Sequence, residues 1–151
     1  MIAIRSATAA DAEALAALRW EFRGRRDPTP ESESDFLARC VPWMRSRLEA
    51  GSVWRVWVVE DDRRVVGQIW LQIFEKLPNP NGEGQCHGYV SNLYVQPASR
   101  GSVGGQLLDA ALNYAKAQGA DRVLLWPSPR SVTLYERRGF TRQSEVFELK
   151  L

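Results

Sequence analysis

The sequence predicts a single α/β domain of the α+β kind, in which a mixed, mostly antiparallel sheet carries about four helices. Three observations lead there. Residues 53–60 and 65–74 are rich in Val, Ile and Trp and flank the polar run Asp61-Asp62-Arg63-Arg64, which reads as a hairpin of two well-buried strands. Two stretches of helical periodicity come before that hairpin, and the second half of the chain reads strand, helix, strand, helix, strand. Because the early strands are joined by a hairpin, a doubly wound parallel sheet is disfavoured.

The elements follow in order. Ile2 and Ile4 alternate as a short strand, and Thr8-Ala9-Ala10-Asp11 offers a capping pattern ahead of a helix whose Leu15, Leu18 and Phe22 share one face. Asp27-Pro28-Thr29-Pro30 ends that helix. Ser32 or Ser34 starts a second one with Phe36, Leu37, Cys40, Met44 and Leu48 on its apolar side, stopped by Gly51. Pro42 inside it predicts a kink or a division into two short helices. After the hairpin, residues 75–88 hold Pro78, Pro80, Gly82 and Gly84 and almost no apolar side chains, so they form an exposed loop. Residues 89–95 form a strand, Leu107, Leu108, Ala111, Leu112 and Ala115 mark a helix that ends at Gly119, and residues 123–126 form a short buried strand. Ser128, with Pro129 at the first helical position, caps a short helix closed by Gly139. Residues 140–151 then read as a final strand whose apolar members are Val146, Phe147, Leu149 and Leu151.

Composition narrows the function. The chain has 151 residues, 44% of them hydrophobic, which is one domain's length and enough for a core without metal or disulfide support. Twenty basic and 18 acidic side chains leave a net charge of +2, so no strong field points to nucleic acid or an anionic membrane surface. No apolar run approaches the ~20 residues that span a bilayer, and the opening lacks the layout of a secretion signal, so a cytoplasmic location is expected. Cys40 and Cys86 show neither redox nor metal spacing.

The chemistry concentrates where a strand passes through a glycine-rich turn into a helix: Leu93-Tyr94-Val95-Gln96-Pro97-Ala98-Ser99-Arg100-Gly101-Ser102-Val103-Gly104-Gly105. Such a turn exposes backbone N–H groups. With the positive end of the following helix they form a concavity suited to phosphate oxygens, and Arg100 adds a charged fork. No Gly-Lys-Ser/Thr follows, and the glycine spacing misses G-x-G-x-x-G, so neither a nucleotide-hydrolase loop nor a dinucleotide fingerprint is present.

A second cluster lies one helix and one strand further on: Ser128-Pro129-Arg130-Ser131-Val132-Thr133-Leu134-Tyr135-Glu136-Arg137-Arg138-Gly139-Phe140. In this order the two stretches resemble the Gcn5-related N-acetyltransferase (GNAT) superfamily, in which Arg-Gly-x-Gly-x-Gly/Ala follows a strand ending in Val-x-Pro and Asn-x-x-Ala-x-x-Leu-Tyr-Glu-x-x-Gly-Phe comes later. Val103 stands where the family usually has its first loop glycine. Ser128 stands where it has an Asn that contacts the cofactor.

The resemblance implies one N-acetyltransferase domain over residues 1–151, with six to seven strands and splayed central strands. It implies acetyl-CoA as cosubstrate, no metal, and a primary amine of a small molecule or peptide as acceptor, and it allows a homodimer. Leu93, Tyr94 and Val95 would pair with the pantetheine arm; Arg100, Gly101, Ser102, Val103, Gly104 and Gly105 would hold the pyrophosphate, with Ser128 beside them. Tyr135 matches the family's acid, which protonates the departing sulfur. For the general base, the strand before Val95 offers no carboxylate, which leaves Glu75, Glu83 and His87. A non-catalytic acyl-CoA-binding sensor or subunit is the alternative, and an unrelated α/β nucleotide-binding domain a third reading. Trp54, Trp57 and Trp70 are read as sheet packing, whereas Trp20 and Trp43 are candidates to line an acceptor pocket.

Overall fold

In the computed structural model the described residues are 1–24, 30–143 and 145–151. Five strands form one sheet in the order β1-β2-β3-β4-β5: β1 (Ile2–Ser6), β2 (Trp54–Asp61), β3 (Arg64–Glu75), β4 (Cys86–Val95) and β5 (Ala120–Leu124). The first four are antiparallel neighbours and β5 lies parallel to β4. Four helices accompany them: α1 (Ala12–Arg19), α2 (Glu33–Arg47), α3 (Val103–Ala117) and α4 (Val132–Glu136). The mixed, mostly antiparallel α/β architecture is therefore as the sequence predicts.

Alternation along the middle strands places helices on both faces. Val59, Ile69, Leu71, Val90 and Val95 join Leu107, Leu108 and Ala111 of α3 in one cluster. The intervening Val56, Val58 and Trp70 meet Ala12, Leu15 and Ala16 of α1 and Met44 of α2 in the other. The buried Gln68 fits on this second side because both ends of its amide are used: Nε2 donates to the Leu15 carbonyl at 3.0 Å, and Oε1 accepts from Trp70 Nε1 at 2.8 Å.

Local chemistry explains most boundaries. Asp62 and Arg63 both have positive φ, 45° and 68°, as a two-residue hairpin turn of matching twist requires. Thr8 and Asp11 form the expected capping box, with Thr8 N–H donating to Asp11 Oδ2 at 2.7 Å. The first helix changes pitch, from a 3₁₀ turn over Ala9–Asp11 through α1 to a π turn over Trp20–Gly24. The break expected at Asp27, Pro28 and Thr29 lies outside the described residues. Pro42 does not divide the second helix: α2 runs through it as one 15-residue element capped by Ser32, whose hydroxyl accepts from Asp35 N–H at 3.1 Å.

The end of the chain differs most from expectation. Among the described residues the sheet has five strands rather than six to seven, and the described part of residues 140–151 forms no strand. Val146, Phe147, Leu149 and Leu151 are exposed there, and only Phe140 packs on the core. Apolar alternation marks a segment able to pair but does not supply the neighbour that completes a ladder. β5 starts at Ala120, directly after Gly119 (φ 79°) ends α3, rather than at 123. α4 starts after Ser131 rather than at Ser128, because Ser131 N–H and Oγ both turn back to the Ser128 carbonyl, at 3.0 and 2.9 Å.

Asp11 ties the first strand and helix together. Its carboxylate accepts two bonds from the Arg5 guanidinium, each 2.9 Å, while Arg5 also reaches Glu60 on β2. Arg5 first, then the Thr8 N–H, holds the Asp11 carboxyl below its usual range. A carboxylate depressed in the folded state stabilises the fold above its unfolded pKa of about 3.9 and loses that effect as pH falls through the lower folded value. Asp11→Asn is expected to cost about 1–2 kcal/mol at pH 7, since Arg5 is part-exposed and solvent screens the pair. The deficit should shrink below about pH 4, as read from urea midpoints at pH 7 and pH 3.

Candidate active site

The site begins where two strands part. β5 pairs with β4 from Cys86↔Ala120 to Tyr89↔Leu124 and no further. Beyond Tyr89 the ladder with β5 stops, while β3 continues to pair with β4 as far as Val95. Beyond Leu124 the chain leaves the sheet: Leu125 packs on the α3-side core, and the largely exposed Trp126 sets its ring edge-on to Tyr89 at 5.3 Å.

Within this stretch β4 bulges. Gln68 stands opposite Tyr94 and Trp70 opposite Ser91, so three β4 steps face two on β3, and Asn92 takes a positive φ of 53°. Asn tolerates that conformation better than most residues. The bulge resets the alternation: Leu93 and Val95 turn to the α3-side core, whereas Tyr94 turns to the α1 side, stacks on Phe22 at 4.9 Å and donates to Glu21 Oε1 at 2.7 Å.

The glycine turn lies at the mouth of the parting. Arg100 Nε donates to the Val95 carbonyl at 3.2 Å, which holds its head beside the last residue of β4. Gly101 has φ 124°, a conformation that side-chain-bearing residues rarely adopt. Ser102 precedes α3 without capping it through its side chain, and no acidic residue lies in the first turn, so the positive end of a 15-residue helix is left uncompensated. Val103 is buried in the α3-side core. It therefore fills interior space, and its presence where the family has glycine leaves the open face of the turn clear. That face is at Gly104, whose absent side chain would meet nothing. Gly105 differs, because a Cβ there would run into the Arg138 guanidinium, which folds over it to pair with Asp109 at 2.8 Å.

Tyr135 is buried in the cluster that contains Val90, Val95 and Val103, edge-on to Phe140 at 5.6 Å. Burial pushes its phenol above the ordinary value, with the Ser131 hydroxyl acting weakly the other way. Ser128 Oγ shares a 3.0 Å hydrogen bond with Ser131 Oγ, the hydroxyl that also acts on the Tyr135 phenol.

The candidate bases collect elsewhere. His87 Nδ1 lies 2.7 Å from Asp121 Oδ1, where β4 and β5 are still paired, and Glu75 sits opposite Cys86. Glu83 accepts from Asn79 and Lys76; these two and Asn81 pull its carboxyl down to about 2, which makes it a weak proton acceptor. Five strand residues, about 16 Å, separate His87 from Asn92. No group of His, Cys, Asp and Glu able to hold a metal occurs among the described residues, and none of their helices is long and apolar enough to cross a membrane.

Two features were missed from sequence. Asn92 carried a weak signal, as an Asn inside a strand, whereas Arg19, which donates to Asn92 Oδ1 at 3.2 Å, reads there only as a polar helix residue.

This parted sheet has the fold of solved acetyltransferases. The crystal structure of a predicted acetyltransferase with acetyl-CoA from Clostridium acetobutylicum superposes with a TM-score of 0.83 over 99% of this chain and 96% of that one, at 22% identity. The acetyltransferase (GNAT) family pattern matches residues 12–140, and the chain belongs to that family. Among curated relatives, glucosamine 6-phosphate N-acetyltransferase of Trypanosoma brucei brucei is 28% identical over 106 residues, 70% of either chain. Mycothiol acetyltransferase of Beutenbergia cavernae is 32% identical over 105 residues, and the match covers 63% of this chain but about a third of that enzyme's length.

The contrast between the two glycines in the first turn of α3 can be measured. Gly104→Ala should stabilise the fold by about 0.5–1 kcal/mol, since Ala favours helix and meets no obstacle. Gly105→Ala should forfeit that gain by displacing Arg138 from Asp109. Thermal melting of both variants checks the placement.

Proposed function

We propose that the protein transfers the acetyl group of acetyl-CoA to a primary amine of a small molecule or peptide by direct attack of the amine on the thioester. The observation that carries this is the one-sided β4, whose ladder with β5 stops at Tyr89, ending at an uncapped helix mouth whose open face is glycine. The pantetheine arm is amide-bearing and can take the place of the absent strand along Leu93, Tyr94 and Val95. Amides of residues 101–105, with Arg100, hold the diphosphate. The relative named for glucosamine 6-phosphate supports an acceptor of small-molecule size.

The amine must arrive neutral, although a lysine-like amine with a pKa near 10.4 is almost wholly protonated at neutral pH. Its nitrogen bonds to the thioester carbonyl carbon and loses a proton to water, the carbonyl reforms as the carbon–sulfur bond breaks, and the sulfur departs with a proton. Tyr135 supplies that proton: a phenol held above its ordinary pKa stays protonated throughout the working range and donates only to a developing thiolate. Glu75, at the end of β3, and His87, near the start of β4, would act on the amine only through intervening water. Ser128, already bonded to Ser131, adds a hydroxyl at the cofactor's flank.

Calorimetric titration with acetyl-CoA followed by an amine screen for free-thiol release tests the reading. Binding without thiol release across a broad panel would instead mark a sensor or subunit. Tyr135→Phe should lower kcat by about 100-fold or more with little change in acetyl-CoA affinity, whereas His87→Gln should lower it by less than about tenfold. Gly104→Glu should weaken acetyl-CoA binding by at least about tenfold through repulsion of the diphosphate, and unchanged affinity would show the phosphates lie elsewhere.

A further inference from the structure

Between α1 and α2 lies a cavity of about 390 Å³ lined by Arg19, Phe36, Arg39, Cys40, Trp43 and Met44. A smaller one of about 190 Å³ shares Arg19, Phe36 and Arg39 and reaches Trp20. The walls are aromatic and aliphatic, and the volume suits a small molecule. The two guanidiniums in the walls are in different electrostatic states. Arg39 is neutralised by a two-pronged pair with Glu31 and lies over the Phe36 ring at 5.2 Å. Arg19 is half-buried, and among the described residues no carboxylate pairs with it. Its one hydrogen bond there goes to the neutral amide oxygen of Asn92 at 3.2 Å, although a guanidinium carries five donors.

The surroundings make this cation costly to keep. Burial lowers the Arg19 pKa from its ordinary value, and the charge of Arg23 acts in the same direction. A part-desolvated charge without a counter-ion is retained at a cost that a bound anion would remove. Its position ties it to the chemistry: Asn92 is the bulged residue of the one-sided stretch of β4, so Arg19 stands where the α1–α2 cavity meets the parted strands.

We infer that the acceptor amine carries an anionic group, a carboxylate or a phosphate, and that Arg19 binds this group in the α1–α2 cavity and so directs the amine toward the thioester. This rests on the acetyltransferase reading above. A planar guanidinium grips either oxyanion with two parallel hydrogen bonds, and the aromatic walls cover the carbon skeleton between anion and amine.

The test uses matched amines that differ by the anion: 2-aminoethyl phosphate against ethanolamine, β-alanine against propylamine, and an amino-sugar phosphate against the free amino sugar. In at least one pair the anionic member should have a kcat/KM higher by about 30-fold, within the 10- to 150-fold expected of a charge-assisted hydrogen bond, and the preferred pair tells phosphate from carboxylate. Arg19→Gln should abolish the preference chiefly through KM, Arg19→Lys should retain part of it, and acetyl-CoA affinity should be the same in all three proteins. Equal use of charged and neutral members would overturn the inference. So would an Arg19→Gln loss that fell equally on both members, as a purely structural role predicts, or a lack of turnover with every anionic amine while acetyl-CoA still bound. Failure of the unaltered protein to bind acetyl-CoA would overturn the underlying reading as well.

Discussion

Among the described residues the β4–β5 ladder stops at Tyr89 while β3 stays paired to β4, and the rest of the site is arranged around that parting. A strand in mid-sheet with one row of N–H and C=O groups unmatched is normally a liability, because those groups must find water, another strand or a ligand. Here the row is bounded by structure that keeps a strand from closing it. The chain after Leu124 swings away with Trp126 against Tyr89, and the bulge at Asn92 displaces the register of the far half of β4. The parting is thus flanked by the Trp126–Tyr89 contact on one side and the Asn92 bulge on the other.

The bulge also divides labour between the two faces of the sheet. On the α3 side, Val90, Leu93 and Val95 bury into a close-packed cluster with Val103, Leu107 and Tyr135, a rigid wall that fixes the helix mouth and the phenol relative to β4. On the α1 side, Asn92 and Tyr94 meet polar and charged partners, Arg19 and Glu21, at the border of the open α1–α2 cavity. A rigid wall suits a cosubstrate of constant shape, and a cavity with apolar walls and a cation at its edge suits the partner that distinguishes one member of such a family from another.

How far this was legible from the chain depends on whether the signal was local. The hairpin around Asp62 and Arg63, the Thr8–Asp11 cap and the turn from Val95 into α3 each rest on residues close in sequence, and each is where the residues placed it. The last strand failed for the converse reason: alternation of Phe147, Leu149 and Leu151 marks a segment that could pair, but pairing needs an edge supplied from elsewhere. Ser128 and Pro129 look like a helix start until Ser131 takes the cap position, a choice made by a three-residue hydrogen bond that composition does not reveal. In the site, the turn glycines read as one group, yet Gly104 faces open space and Gly105 lies under Arg138, a contact made across 33 residues. Glu75 and His87 were candidates by residue type, and their distance from Asn92 follows from strand register alone.

Arg19 shows why electrostatic state, rather than residue type, carries functional information. Several guanidiniums of the described residues meet a carboxylate. Arg5 meets Asp11 and Glu60, Arg39 meets Glu31, Arg45 meets Glu13 and Arg138 meets Asp109. Pairing of this kind near the surface contributes little and needs no further partner. Arg19 combines partial burial, a neutral amide as its one hydrogen-bond partner among the described residues and a repelling neighbour in Arg23, a state that ordinary surface pairing would have relieved. A fold that keeps such a cation at the junction of its cavity and its parted strands retains binding energy for a molecule that brings the missing charge.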